Sequence, residues 1–228
     1  MFVKATTGEP IWLFDIPQPK ALLVVAHPDD ETIFAGGLIL SSCDTQWTVI
    51  CCTTEGDPKR EDEFISACNF LAQKSCNDIR SISLNLVLGQ NSIAEDQLTH
   101  ELKSYATEFD IVLTHNKQGE YGKDFHQTVH RCVIGSIANP NTWVFISPGS
   151  SNVNQNELRS EKPNGNFTLS LSAELIELKI AAFQTCHVSQ ADRYGYDPNT
   201  GRLRDSDLKE TLSWYFEESG REEYTYNV

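Results

Sequence analysis

The segment Ala26-His27-Pro28-Asp29-Asp30-Glu31 places one imidazole and two carboxylates within four residues, His27, Asp29 and Asp30. That mixture of nitrogen and oxygen donors suits Zn2+ once a further ligand arrives from elsewhere in the chain. Immediately upstream, Ala21 to Ala26 is a continuous apolar run after Pro19, which predicts a strand buried on both faces of a mainly parallel sheet. The polar cluster then stands at the carboxyl end of that strand, where open α/β sheets bind their ligands. Taken alone, His-Pro-Asp-Asp is also compatible with a helix N-cap and turn.

A second cluster, Gly-Glu-Tyr-Gly-Lys-Asp-Phe-His-Gln-Thr-Val-His at 119–130, also follows an apolar strand and so falls on the same sheet edge. His126 and His130 stand four apart on a predicted helix and share a face. They resemble half of a metalloprotease H-E-x-x-H, but position 127 is Gln, so the general-base glutamate is missing and that reading fails. By spacing alone a helix histidine more often serves structure than a metal. The two clusters together carry the metal reading.

The remaining periodicity supplies the frame that must position these residues. Asp30 is placed to cap a helix carrying Ile33, Phe34, Leu38 and Leu40, with Gly36-Gly37 permitting close approach of helix to sheet. A strand is predicted at Trp47–Thr54, a loop at Glu55–Pro58, a helix at Arg60–Leu71 and a strand at Ile82–Leu88. A helix spanning Leu98–Phe109 follows, then a strand at Asp110–Thr114, a loop at Asn116–Lys123, a helix at Phe125–Ile137 and a strand at Thr142–Ser147. The polar stretch Pro148–Asn166 is too long for an ordinary connection and reads as a lid or mobile loop. Leu171 to Cys186 predicts a helix, Asp192 to Asp207 is charged and turn-rich, and Trp214-Tyr215-Phe216 suits a short terminal helix. The βαβα order predicts an α/β, Rossmann-like single domain over 1–228, with a mainly parallel sheet, helices on both faces and a C-terminal extension after about residue 191.

A chain of 228 residues buries one full core without needing a second domain. Its formal charge of -14 repels nucleic acid phosphates and anionic membrane surfaces, so a nucleic-acid partner is not expected. Seven cysteines, an odd set without a C-x-x-C pair, fit a reducing compartment. No stretch approaches the ~18 apolar residues of a membrane span, so a cytoplasmic location is expected, while homo-oligomerisation stays open.

On these residues the sequence resembles the PIG-L/LmbE-like N-deacetylases, metal-dependent hydrolases acting on N-acetylglucosaminyl and related amides. The resemblance covers most of the chain. It rests on A-H-P-D-D-E at 26–31, T-E-G at 54–56, R-E-D-E at 60–63, T-H-N-K-Q-G-E-Y-G at 114–122 and H-V-S-Q at 187–190. It implies that His27, Asp30 and His126 hold Zn2+ or another divalent metal and that Asp29 is the general base. Three protein ligands leave a position open for water and substrate, as a catalytic zinc requires. Similar sequences often read G-E-Y-G-H-x-x-H; here Lys123 takes the place of the first histidine, whose role is to stabilise the oxyanion. An ammonium still donates to an oxyanion, although lysine is longer and a poorer proton shuttle than histidine.

The resemblance further places Arg60 near the sugar hydroxyls or a phosphate; Glu63, one turn on, is spaced to pair with it, and a surface salt bridge is the alternative role for Arg60. Glu120 and Tyr121 are expected to touch substrate, or with His115 and Asn116 to support His126 from behind. His187 and Gln190 are expected near the site, His187 alternatively at a helix C-terminus. The leading expectation is a zinc-dependent hydrolase that releases acetate from an N-acetylated sugar or sugar conjugate. The alternatives are a metal-containing carbohydrate-binding protein that lost turnover through Lys123, and an amidase for a different N-acyl conjugate.

Overall fold

The computed structural model describes residues 2–4, 10–11, 18–86, 92–105, 108–139, 141–145, 167–193, 196–197, 202–203 and 221–226. Its main sheet contains β1 (Phe2–Lys4), β2 (Pro10–Ile11), β3 (Lys20–Val25), β4 (Gln46–Cys51), β5 (Asp78–Ser83), β6 (Ile111–Thr114), β7 (Thr142–Phe145), β8 (Phe167–Ser170) and β11 (Arg221–Tyr226). They lie in the order β2-β1-β8-β11-β7-β6-β3-β4-β5. β9 (Tyr196–Asp197) and β10 (Arg202–Leu203) pair separately. The strands β7, β6, β3, β4 and β5 are mutually parallel, as a Rossmann-like α/β sheet requires.

From Ala21 onward β3 is apolar because it is buried on both faces. Ala21, Leu23 and Val25 enter one core with α1 (Asp30–Ser41), α2 (Pro58–Ser75) and α6 (Ala173–Cys186). Leu22, Val24 and Ala26 enter the other with α3 (Ser92–Lys103) and α5 (Asp124–Ser136). The period of two along a strand thus fills two cores from one run of residues. From β3 the chain steps outward through β4 and β5, then returns to lay β6 and β7 on the opposite side. Strand order reverses between β3 and β6. In that crevice the pairing of Val24 with Thr114 makes the residues after both strands leave the sheet side by side.

Several elements depart from the sequence expectation. The ladder of β5 covers Asp78–Ser83 rather than Ile82–Leu88; Leu84 and Leu86 instead donate their N–H groups to the carbonyls of Cys51 and Cys52, both at 2.9 Å. α3 stops at Lys103, and Tyr105 and Phe109, both outside the helix, pack onto the core. α6 begins at Ala173, where the Ser172 hydroxyl accepts the Leu175 N–H at 3.3 Å. β1, β2, β8 and β11 form an antiparallel extension beyond β7 that the βαβα pattern did not predict. β1, β2 and β8 are short, and β8 and β11 are joined to partners far away in sequence, so local periodicity carries little signal for them. The expected loop at 148–166 and the helix around Trp214 lie outside the described residues.

Gly36 also faces a different neighbour from the one expected. A Cβ built there would meet Lys179 Cγ at 3.5 Å, so the glycine eases the packing of α1 against α6, helix on helix. All seven cysteines are free thiols. Burial pushes those of Cys51, Cys52 and Cys68 well above their ordinary range, which removes them as nucleophiles.

Candidate active site

Beyond β3, His27 to Asp30 form a tight turn in which the His27 N–H donates to Asp30 Oδ2 at 2.8 Å and the Asp30 N–H to the His27 carbonyl at 3.3 Å. Asp30 therefore does not cap α1. The N-cap is Asp29, at φ 120°, and its side chain makes no capping bond. The Asp29 N–H is instead received by Glu31 Oε2 at 3.1 Å, a return contact like that of a capping box. A non-glycine residue at such a φ is strained, and strain of this kind collects at functional sites.

β6 delivers the second half. Asn116 Oδ1 accepts the N–H groups of Gln118 at 2.9 Å and Glu120 at 3.1 Å, and the Asn116 side-chain amide donates to the Phe145 carbonyl at 2.8 Å. This folds the chain back through the short turn α4 (Gly119–Gly122) into α5. Gly119 is required there: at φ 69° a Cβ would stand 3.0 Å from Gln127 Cγ and 3.3 Å from His126 Cβ.

Glu120 is fully buried behind the histidines. Its Oε2 accepts from His115 Nδ1 at 2.9 Å and from His126 Nδ1 at 2.6 Å, while Oε1 accepts the Asn116 N–H at 2.8 Å. Both imidazoles thus carry their proton on Nδ1 and turn Nε2 forward. The two rings stack at 3.8 Å between centroids, and Phe34 meets each edge-on. Glu120 therefore occupies the supporting position behind His126 rather than a substrate-facing one.

Three histidine nitrogens converge on one carboxylate oxygen. His27 Nδ1, His115 Nε2 and His126 Nε2 each lie 3.4 Å from Asp30 Oδ2. The lone pair of His115 Nε2 is already engaged by the Ala26 N–H at 3.0 Å. His27, Asp30 and His126 remain as a donor set whose ligand atoms all lie within 4.8 Å of one another. Two imidazoles, one carboxylate and a carboxylate behind the buried imidazole match the chemistry of a zinc site. A second grouping, His115, Glu120 and His126, is also compact, but its carboxylate is engaged in the hydrogen bonds just described.

The protonation states agree with that donor set. Burial works to raise the Asp30 carboxyl, but His126, His115 and His27 outweigh it and hold the pKa well below the usual carboxylate range. Burial and the neighbouring His115 both push His126 down, toward the neutral imidazole that a metal needs. Glu120, despite burial, is brought down to about 2 by His115 and His126. For His115 burial lowers the pKa, but Glu120 and Asp30 lift it to about 9. The Ala26 N–H opposes that pull, because a proton on Nε2 would face another donor; the hydrogen bonds fix the neutral tautomer.

The flanking residues complete the picture. Arg60, in the first turn of α2, is buried and donates from Nη1 to Glu55 Oε2 at 2.9 Å and from Nη2 to the Pro28 carbonyl at 3.2 Å. Its partner is Glu55 and not Glu63, whose carboxylate accepts the Ser189 N–H at 2.8 Å and the Ser189 hydroxyl at 2.6 Å. Arg60 braces the turn that carries His27, and its Nε has no partner among the described residues. Glu55, half-exposed and 4.0 Å from His27 Nε2, has no role in the sequence reading. The T-E-G segment at the end of β4 was the available signal for it.

Lys123 is exposed at the N-cap of α5, one turn before His126. His130 donates from Nδ1 to the His115 carbonyl at 2.8 Å, a structural task that separates it from His126 on the shared helix face. Tyr121 lies in α4, with its side chain outside the described residues. His187 follows the end of α6, and its Nε2 meets Glu31 Oε1 at 2.7 Å. Gln190, in α7 (Val188–Arg193), is buried beside Ser189.

A Rossmann-like α/β protein with a compact histidine and carboxylate cluster at the strand-order switch point is the class that this fold and cluster define. Within that class the chain belongs to the PIG-L family, described as GlcNAc-PI de-N-acetylase, which matches residues 22–137. It is 33% identical over 140 residues to the uncharacterized protein L374 of Acanthamoeba polyphaga mimivirus, a match taking in 54% of this chain and 60% of that protein. Among solved structures, the N,N'-diacetylchitobiose deacetylase of Pyrococcus horikoshii is similar at TM-score 0.60 and 18% identity, over 91% of this chain and 83% of that one. GalB, the 4-carboxy-2-hydroxymuconate hydratase of Pseudomonas putida, is similar at TM-score 0.52 and 16% identity, over 77% and 81%. A deacetylase and a hydratase share this fold, so the reaction must be argued from the site. No helix among the described residues is long and apolar enough to cross a membrane.

Proposed function

We propose that this protein is a zinc-dependent hydrolase that removes an acetyl group from an N-acetylated sugar or sugar conjugate of the N-acetylglucosamine type. The observation that carries the reading is the compact His27, Asp30 and His126 donor set at the switch point of a chain in a de-N-acetylase family. Bound there, Zn2+ would supply Lewis acidity toward the amide carbonyl and make water a stronger acid.

The two adjacent aspartates then divide the work. Asp30, whose Oδ2 faces the nitrogens of His27 and His126, is assigned to the metal. Asp29 is not consumed as a helix cap, and we assign it the general base. It takes a proton from the attacking water as the new C–O bond forms and delivers that proton to the amide nitrogen as the C–N bond breaks. Acetate and a free amine result. The Lys123 ammonium donates to the oxygen on which charge develops, and Arg60, anchored to the His27 turn, places its positive charge toward a substrate hydroxyl or phosphate. Glu120 keeps His126 in the Nδ1–H tautomer throughout.

Acetate release from N-acetylglucosamine and its 1-linked conjugates by the zinc-loaded protein tests the substrate class, and absence of release from all of them overturns it. Asp29→Asn separates base from ligand. Zinc content should stay at the wild-type level while kcat falls by about 100-fold or more. Near-wild-type turnover of that variant removes Asp29 as the base.

A further inference from the structure

The turn at His27 to Asp30 is held from behind by the H-V-S-Q segment at 187–190, which lies beyond residues 22–137 that the family model matches. Glu31 is fully buried and spends both carboxylate oxygens. Oε2 accepts the Asp29 N–H at 3.1 Å. Oε1 accepts the Thr32 hydroxyl at 2.7 Å and meets His187 Nε2 at 2.7 Å. A carboxylate can only accept, so His187 carries its proton on Nε2. His187 Nδ1, also buried, has no partner among the described residues, so the ring's polar contacts point toward Glu31 and Thr32 alone.

The position of His187 is fixed from both sides. The His187 N–H closes α6 on the Phe183 carbonyl at 3.0 Å, and two residues later Ser189 is gripped through its N–H and hydroxyl by Glu63 of α2. The backbone that carries the imidazole is therefore held in place opposite Glu31. Glu31 in turn receives the amide of Asp29, a residue at φ 120° that would relax without restraint.

We propose that His187 is a positioning residue for Asp29, acting through Glu31: it locks the carboxylate that holds the strained Asp29 backbone and so aims the Asp29 side chain. The proposal rests on the reading of Asp29 as the base. It assigns a task in catalysis to the junction of α6 and α7, more than 150 residues from the turn it serves.

His187→Gln and His187→Leu test it together. Glutamine extends an N–H to nearly the place of Nε2, whereas leucine fills the space without a donor. In His187→Leu kcat should fall by about 10-fold or more with KM and zinc content little changed, and His187→Gln should recover most of that loss. The Asp29 amide should exchange with solvent deuterium about 10-fold faster in the leucine variant and near the wild-type rate in the glutamine variant. Equal kcat in the two variants, or equal Asp29 exchange in all three proteins, overturns the proposal. If the wild-type protein releases acetate from no substrate, the proposed function fails on its own account, and the exchange measurement still decides whether His187 holds the Asp29 backbone.

Discussion

Glu120 sets the state of two histidines with one oxygen. Because His115 and His126 both donate Nδ1–H to Oε2, neither ring can turn or change tautomer without breaking a buried charge-assisted bond. Its pKa near 2 lies below the ordinary 4.5, so the ionised carboxylate stabilises the fold above about pH 4.5, and that contribution is lost as pH falls through about 2. Glu120→Gln should cost about 3 kcal/mol at pH 7 in the metal-free protein. The gap to wild type should narrow from pH 5 to pH 3, as read by urea unfolding at each pH. The same variant should bind zinc about 10-fold to 100-fold more weakly by calorimetry. Lys123 requires a different measurement, because it is exposed and three residues from His126, which we assign to the metal. Lys123→Ala should lower kcat by about 100-fold with zinc retained, and Lys123→His should restore part of it. A gain above wild type in Lys123→His would instead mean that lysine impairs the site, which favours the carbohydrate-binding alternative. The residue types and spacing at 26–31 and 119–130 made the donor cluster legible in the sequence. The roles of Glu120 and Glu31 were not, since a buried carboxylate and a substrate-facing one look the same until the partners of their oxygens are known.

Elements decide how closely these side chains are brought together, and two glycines mark where the tolerance is smallest. Gly119, at positive φ with His126 and Gln127 within contact of its missing Cβ, holds α4 against the first turn of α5. Gly119→Ala should lower the melting temperature and reduce zinc affinity together, because a methyl group there pushes on the backbone that aims His126. Gly36 is the counter-case. Its nearest neighbours stand at ordinary van der Waals distance, 3.5 Å for Lys179 Cγ and 3.7 Å for Thr32 Cγ2, and no positive φ is required. Gly36→Ala should therefore stabilise α1 by up to about 1 kcal/mol in thermal melts without altering zinc binding. The buried parallel strands and amphipathic helices were readable because each repeats over enough residues to show its period. β11 was not: Arg-Glu-Glu-Tyr-Thr-Tyr becomes a strand through pairing with β7 and β8. The partner of Gly36 was missed for the same reason, because periodicity shows that a face is buried and not which element covers it.

On the scale of the whole molecule the donor set ties together two segments separated by the full excursion through β4 and β5. His27 and Asp30 come from the turn after β3, and His126 from α5 beyond β6, across the crevice where strand order reverses. A metal bound there closes a loop of about a hundred residues and binds the folded chain in preference to the unfolded one, so it must raise stability as well as supply chemistry. Dialysis against a chelator should lower the melting temperature and abolish acetate release, and one equivalent of Zn2+ should restore both. At a zinc concentration about 100-fold above its dissociation constant the gain is about 2.7 kcal/mol, which a thermal melt of a protein this size resolves as several degrees. His126→Ala should lose the zinc-dependent shift entirely, whereas His130→Ala, which removes only a bond to the His115 carbonyl, should keep a shift of reduced size. Equal zinc responses in wild type and His126→Ala would mean that the ion binds elsewhere, and with it would fall the coupling between the two sides of the sheet on which the proposed chemistry depends.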